Sequence, residues 1–328
     1  MKFRSACLLS SLLVAAISVN VSAVRLRATD FTLRFGGPAE ARAYSQASGG
    51  GSANADATRP VFTQQATNVF RRFVVDPARM KEFYGDVLGL KPLPTLSMPG
   101  GGQMTRFHAG ASEIKLQPAS SEAQAPAGGV RDVIGLRVLT FFFPDEAALT
   151  ARFKEHGYPA PEFRNRTSSG GTTRVALARD PSNQWVEIVV APGGPAESYD
   201  RLEIGLTVSD IEKARAFYRG FVGLEELSPV EDVLLGTTKY PYRLGSTTIN
   251  VWSFGKGLPV NKTSAGIQYV VGNVEAIDAR AKASGVKIDR PLSDFTATLR
   301  TVWLADPDGI TNYFAQVARR APADSAPR

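Results

Sequence analysis

Residues 68–75, NVFRRFVV, make a short apolar-rich run that stops at Asp76, after which Phe83, Tyr84, Val87 and Leu88 recur at helical spacing as far as Gly89. This pattern predicts a strand, then a helix whose first N–H groups are capped by the Asp76 carboxylate and whose end is set by Gly89. TRFHAG and SEIKLQP follow as strands joined by a glycine turn. The same order returns over 202–254: the strand LEIGLTV, the cap Asp210, the helix IEKARAFYRGFV, Gly223, and the strands YPYRLG and TTINVWSF. Residues 74–90 and 208–224 align at a constant offset of 134, which preserves Val74/Val208, Asp76/Asp210, Phe83/Phe217, Tyr84/Tyr218, Gly89/Gly223 and Leu90/Leu224. A fixed internal period of this kind marks a duplicated structural unit.

Two further segments match each other at a shift of 126, with Arg174 six residues before Asp180-Pro181 and Arg300 six before Asp306-Pro307. Each turn leads into a strand, Trp185–Val190 and Thr311–Gln316, and the Pro, Asn and Gly around it are turn residues. A hairpin accounts for the turn alone but not for its return at the same place in a repeated unit.

A strand ending in Asp, a helix closing with FY-x(4)-GL and a later Asp-Pro turn before a strand together resemble the vicinal oxygen chelate superfamily of glyoxalase I, bleomycin-resistance proteins and extradiol dioxygenases. The resemblance covers about 68–317. It implies an α+β chain of four βαβββ modules paired into two tandem glyoxalase-like domains, 68–192 and 200–317, each curling its sheet around a cup that holds metal and substrate. Fold alone does not fix the reaction, so the site rests on individual residues.

The termini carry other signals. Lys2 and Arg4, the apolar stretch Leu8–Val21 and Val21-Ser22-Ala23 read as a secretory signal peptide over 1–23, which predicts a secreted or periplasmic protein with no membrane anchor after cleavage. The single cysteine, Cys7, lies inside that signal, so the mature chain has no thiol chemistry and no disulfide. Residues 24–67, rich in Gly, Ala and Ser over most of their length, read as a flexible linker, and 318–328 as a frayed tail. The formal charge of +7 is spread among acids rather than gathered into a stripe, which argues against a nucleic-acid partner.

In the superfamily, metal ligands come from the first strand of each module, seven residues before the helix cap, and from each last strand. Counting back here gives Val69, Val138, Glu203 and Gly266. Alternation along the last strands turns Trp185, Glu187 and Val189 to the cup and Val186, Ile188 and Val190 to the helices. Glu187 and Tyr313 hold the positions seven after Asp180 and Asp306, with Lys115 and Asn250 as their counterparts in the other two modules. The first cup is thus expected to contain Val69, Lys115, Val138 and Glu187, and the second Glu203, Asn250, Gly266 and Tyr313, with Trp252 beside Asn250. Neither set supplies three good donors for a divalent ion, and the chain has only two histidines, His108 and His156, each at a turn or helix end.

The use of these residues stays open. Lys115 paired with Glu187 could replace the metal and orient an anionic or carbonyl ligand, or the two could be separately solvated. Glu203, Asn250, Tyr313 and Trp252 could recognise a polar aromatic molecule, or pack as core; Glu203 or Glu187 could act as an acid or base if buried. Arg174 and Arg300 could clamp a substrate carboxylate or form sheet-edge salt bridges. The leading expectation is an exported protein that binds a small organic molecule without a metal. The alternatives are a lyase, isomerase or dioxygenase with an atypical Fe, Mn, Zn or Ni site, and a structural protein with degenerate cups. Edge-to-edge pairing into a homodimer is compatible with the architecture.

Overall fold

Each module helix starts on the side-chain cap that the sequence places there. In the computed structural model, which describes residues 59–98, 101–119, 128–168, 171–262 and 264–317, Asp76 accepts from Ala78 N at 2.9 Å and Asp145 from Ala148 N at 3.0 Å. Asp210 accepts from Glu212 N and Lys213 N, and Asn273 from Ala276 N at 2.9 Å. These caps open α1 (Pro77–Glu82), α2 (Glu146–Glu155), α3 (Ile211–Arg215) and α4 (Val274–Ser284). The first and third continue into a π-helical turn, Phe83–Val87 and Ala216–Phe221, closed by Leu88 N donating to Phe83 O and Val222 N to Phe217 O. The repeated Phe-Tyr pair lies in this widened turn. Gly89 and Gly223 then take φ values of 77° and 84°, a left-handed conformation open to glycine, and end it.

Module 1 contributes β1 (Asn68–Phe73), β2 (Pro92–Ser97), β3 (Gln103–Ala109) and β4 (Ser112–Pro118). Module 2 contributes β5 (Gly135–Phe143), β6 (Arg164–Ser168), β7 (Gly171–Arg179) and β8 (Trp185–Val190). Module 3 supplies β9 (Leu202–Thr207), the short β10 (Glu225–Glu226) and β11 (Val230–Asp232), β12 (Thr237–Leu244) and β13 (Thr247–Trp252). Module 4 supplies β14 (Ala265–Val270), β15 (Ile288–Thr296), β16 (Leu299–Ala305) and β17 (Thr311–Val317). The fold is α+β, with the four βαβββ modules forming two curled mixed sheets.

The way the modules share those sheets differs from pairing in chain order. β1 runs antiparallel to β14, with Asn68 opposite Gln268, and β5 antiparallel to β9, with Thr140 opposite Glu203. Modules 1 and 4 therefore build one eight-stranded sheet, and modules 2 and 3 the nine-stranded other. Each half-barrel takes one module from each sequence repeat, so the cups are 1/4 and 2/3. Alternation within a strand fixes which face is buried, but the partner that completes its edge is a non-local choice that the local pattern leaves open.

The main apolar core lies between the sheets and the helices and draws on all four modules, among them Phe83, Phe141, Ile204 and Ile267. The core also corrects the strand count in module 1. Val69 and Phe73 face the helices, as Ile204 and Val208 do, which is an offset of 135, whereas the caps Asp76 and Asp210 keep 134. Module 1 holds one extra residue between strand and cap. The cup therefore receives Asn68, Phe70 and Arg72, and Val69 is core. In module 2 the expected alternation is present: Val186, Ile188 and Val190 are in the helix-side core, with Glu187, Val189 and Trp185 on the other face.

Residues 60–67, read from sequence as the end of the linker, belong to the folded unit. Phe62 bridges Val271, Thr63 N donates to Val270 O at 3.0 Å, and Ala66 and Thr67 are fully buried. The aromatic ring of Phe62 against Tyr269 gives this segment something to bury that the Gly/Ala/Ser stretch before it lacks. The predicted signal, the rest of the linker and the tail lie outside the described residues.

Candidate functional site

Cup 2/3 is filled by its own side chains. Trp252 lies against Val130 and Val138, with Trp185, Leu235 and Phe254 packed around them. Its ring covers Gly205 so closely that a Cβ there would sit 2.3 Å from the indole, and its Nε1 donates to Thr207 Oγ1 at 2.8 Å. Leu234 and Leu235 come from the turn between β11 and β12, which Asp232 holds by accepting from both of their backbone N–H groups. The space left beside Glu187 is about 10 Å³. Trp252 is thus a packing residue, and Trp185 sits beneath Arg179 at 3.9 Å with its Nε1 donating to Gly128 O.

The two predicted catalytic carboxylates meet in this filled cup. Thr140 stands between them in register, opposite both Glu203 and Glu187, and its hydroxyl donates to Glu187 Oε2 at 2.8 Å. Arg166 binds the other Glu187 oxygen at 3.0 Å. Asn250 donates to Glu203 at 2.7 Å, and Lys239 approaches the same oxygen at 3.8 Å. Burial raises the Glu187 pKa, Lys239 and Arg166 oppose the rise, and Glu203 and Asp232 add to it. Both carboxylates are held by local partners, with no room beside Glu187 for a substrate.

Cup 1/4 is open, with a cavity of about 460 Å³. Tyr313 and Trp303 stack at its wall, with ring centroids 4.4 Å apart and an interplanar angle of 11°, and Phe70 tilts against both. Lys115 reaches in from β4, donates to Gln268 Oε1 and lies 3.6 Å from Glu113, which Arg106 also binds. Gln268 Oε1 accepts a second bond from Asn68 Nδ2 at 3.1 Å. Burial lowers the Lys115 pKa, Glu113 opposes that, and Arg106 reinforces it. A wider, shallower cleft of about 530 Å³, beside Lys91, His108, Arg152 and Arg201, lies outside both cups.

These positions revise the predicted groupings. Lys115 and Glu187 fall in different cups, so they form no pair. Tyr313 is separated from Glu203, Asn250 and Trp252 for the same reason. Arg174 is bound in two-pronged fashion by Glu146 at the start of α2, and Arg300 by Glu275 at the start of α4 and by Asp294. Both are the salt bridges the sequence allowed, repeated in equivalent modules, rather than substrate clamps. His156 caps α2 and bonds Glu82 at 3.1 Å.

A family profile for the Glyoxalase/Bleomycin resistance protein/Dioxygenase superfamily matches residues 66–188 and 201–314. The chain belongs to this superfamily. Solved structures with the same fold include glyoxalase I from Zea mays, which is 18% identical, with a TM-score of 0.58 over 79% of this chain and 92% of that one. A putative dioxygenase from Bacillus subtilis is 16% identical, with a TM-score of 0.56 over 80% of this chain and 86% of that one. At such identities the likeness is one of fold. No curated protein matches the chain in sequence.

Superfamily members often bind a divalent ion, and the donors at the corresponding strands can be tested against one. In cup 1/4 they are the amides of Asn68 and Gln268, the Lys115 amine and the Tyr313 phenol. An ammonium that donates into Gln268 occupies the acceptor an ion would need, and a phenol whose pKa burial raises is a poor anionic ligand. In cup 2/3 Arg166 and Lys239 already engage the carboxylates. Among the described residues no three His, Cys, Asp or Glu side chains are grouped to hold a metal. This donor set does not fit the ion. The residue counts from the caps do not reach Asn68, Gln268, Trp303 or Arg290. The alternation inside NVFRRF could have found Asn68, since Val69 and Phe73 share the opposite face.

Proposed function

We propose that this superfamily member is an exported protein that takes a small organic molecule into cup 1/4 and does so without a bound metal. The observation that carries the reading is the contrast between the cups: one is packed shut with Trp252, Leu234 and Leu235, while the other keeps about 460 Å³ walled by aromatic rings and edged by polar groups. Cavities of that size, mostly apolar with a few convergent polar groups, suit small ligands. In cup 1/4 the Lys115 amine supplies a positive charge inside the sheet. Export is supported by the charged, apolar and small-residue pattern of 1–23.

The test is a thermal-shift screen of the mature chain against aromatic, dicarbonyl and aliphatic compounds, run with metal analysis of the same sample. Binders whose effect disappears in Leu299→Trp, which narrows the cup, are expected, with metal well below one equivalent. Stoichiometric Fe, Mn, Zn or Ni that a chelator removes together with binding would overturn the metal-free reading. Absence of any binder across the screen would overturn the binding reading itself. Sequencing the N-terminus of the exported protein checks cleavage after Ala23.

A further inference from the structure

The lining of the cavity in cup 1/4 mixes apolar and cationic side chains. Phe70, Leu96, Met98, Met104, Phe295 and Leu299 are the apolar ones. Arg72, Lys115, Lys262 and Arg290 are the cations, with Asp289 as the single acid among the lining residues. Asp289 is already held by Lys287 at 2.7 Å. Among the described residues Arg72, Lys262 and Arg290 enter no ion pair, and the acid nearest Lys115, Glu113, is shared with Arg106.

Aromatic walls such as Phe70, Trp303 and Tyr313 often receive cations. Here that role is filled from within. The Arg290 guanidinium lies 4.6 Å over the Trp303 ring, and Tyr313 stacks on Trp303 at 4.4 Å. A guanidinium held over an indole keeps its N–H donors for another acceptor, and its planar fork fits a carboxylate or phosphate. An incoming cation would meet four positive side chains and an indole face that Arg290 already covers.

We infer that the ligand of cup 1/4 is an organic anion, with an acidic group bound by one or more of Arg72, Lys115, Lys262 and Arg290 and an apolar body against the apolar residues that line the same cavity. This rests on the reading of the cup as a binding site and adds the ligand's class. Burial of Lys115 is in keeping with it, since a bound anion offsets the cost of keeping that amine charged.

The experiment is isothermal titration of the full mature chain with 2-naphthoate, decanoate, 2-naphthalenemethanol and 2-naphthylmethylammonium. At least one carboxylate is expected to bind about tenfold or more tightly than the alcohol, the ammonium weakest, because a charged hydrogen bond in a partly dry site carries that much discrimination. Which carboxylate wins decides between a ring and a chain as the apolar body. Lys115→Met should weaken the carboxylate about tenfold and leave the alcohol unchanged. Arg290→Gln, at a position more exposed than Lys115, and Arg72→Gln give independent reads if Lys115→Met fails to fold. Equal or tighter binding of the alcohol or the ammonium, abolished by Leu299→Trp, overturns the anion class and leaves the cup as a binding site. No binding by any of the four compounds also overturns the anion class, and the wider thermal-shift screen then decides the cup separately.

Discussion

Tyr84 Oη donates to Asp180 Oδ2 at 2.9 Å, joining the tyrosine of the first repeat's Phe-Tyr pair to the aspartate of its Asp-Pro turn. Tyr218 and Asp306 repeat the bond at 2.9 Å in the second half of the chain. The two motifs that mark the repeat are thus the two ends of one buried contact between neighbouring modules. In each case the other carboxylate oxygen organises the turn, accepting from Ser182 N and Gln184 N at Asp180, and from Asp308 N and Ile310 N at Asp306. The copies differ in charge. Arg71, fully buried, binds Asp180 at 3.1 Å and donates to Ser264 O; Leu206 stands at the equivalent place before Asp306. Burial works against the Arg71 cation, but Asp180 prevails and holds its pKa up.

Removing the cation should therefore cost far more than removing the phenol. Arg71→Met strands a buried carboxylate and is expected to lower stability by about 3–5 kcal/mol. Tyr84→Phe, which leaves Arg71 in place, should cost about 1–2 kcal/mol. Urea midpoints of the two variants check the order, and equal losses would mean that the pair is not formed.

Asp306, without a cation, has its pKa raised from 3.8 to about 7, chiefly by burial, against the pull of the Ile310 N–H and the Tyr218 hydroxyl. Its folded form holds the proton more tightly than its unfolded form. The resulting stability is fully present below about pH 4, is lost as pH rises toward 7, and is absent above that, a span on the order of 4 kcal/mol. Asp306→Asn should flatten this part of the stability curve between pH 4 and 7, as read by denaturant unfolding at each pH. A slope unchanged by the substitution would assign the pH dependence elsewhere.

Gly205→Ala should destabilise by about 1–3 kcal/mol, because the new methyl collides with the Trp252 indole. Trp252→Phe in the same chain should recover part of the loss, and melting of the four chains in the cycle measures the coupling.

Glu187→Gln and Glu203→Gln lie in the filled cup. They are expected to change the affinity of any compound that binds cup 1/4 by less than about twofold, as distant sites add independently. A tenfold loss in either would return the carboxylates to the site.

What the sequence made legible was periodic and local. The caps Asp76, Asp145, Asp210 and Asn273, the glycine stops and the alternation around Glu187 all follow from contacts a few residues apart. What escaped it was long-range. Nothing near Lys115 says that its hydrogen-bond partner lies in β14 rather than in module 2, and one extra residue before Asp76 was enough to exchange Asn68 for Val69. Trp252 and Tyr313 are alike in sequence as aromatic cup residues. One is covered by a hairpin and the other is not, and that difference depends on Leu234 and Leu235 from a separate turn.

The exchange of modules between the two sheets also imposes an order of assembly. Strands β5 to β13 span 135–252 without interruption, so the plugged half-barrel can close while the last module is still being made. Its open counterpart joins Phe70 to Tyr313 and cannot exist until nearly the whole polypeptide is present, the slower kind of closure when partners are far apart in sequence. The open cup is thus a mark of length: a chain cut between β13 and β17 keeps every strand of the plugged half-barrel but lacks Tyr313 and the strand that carries it.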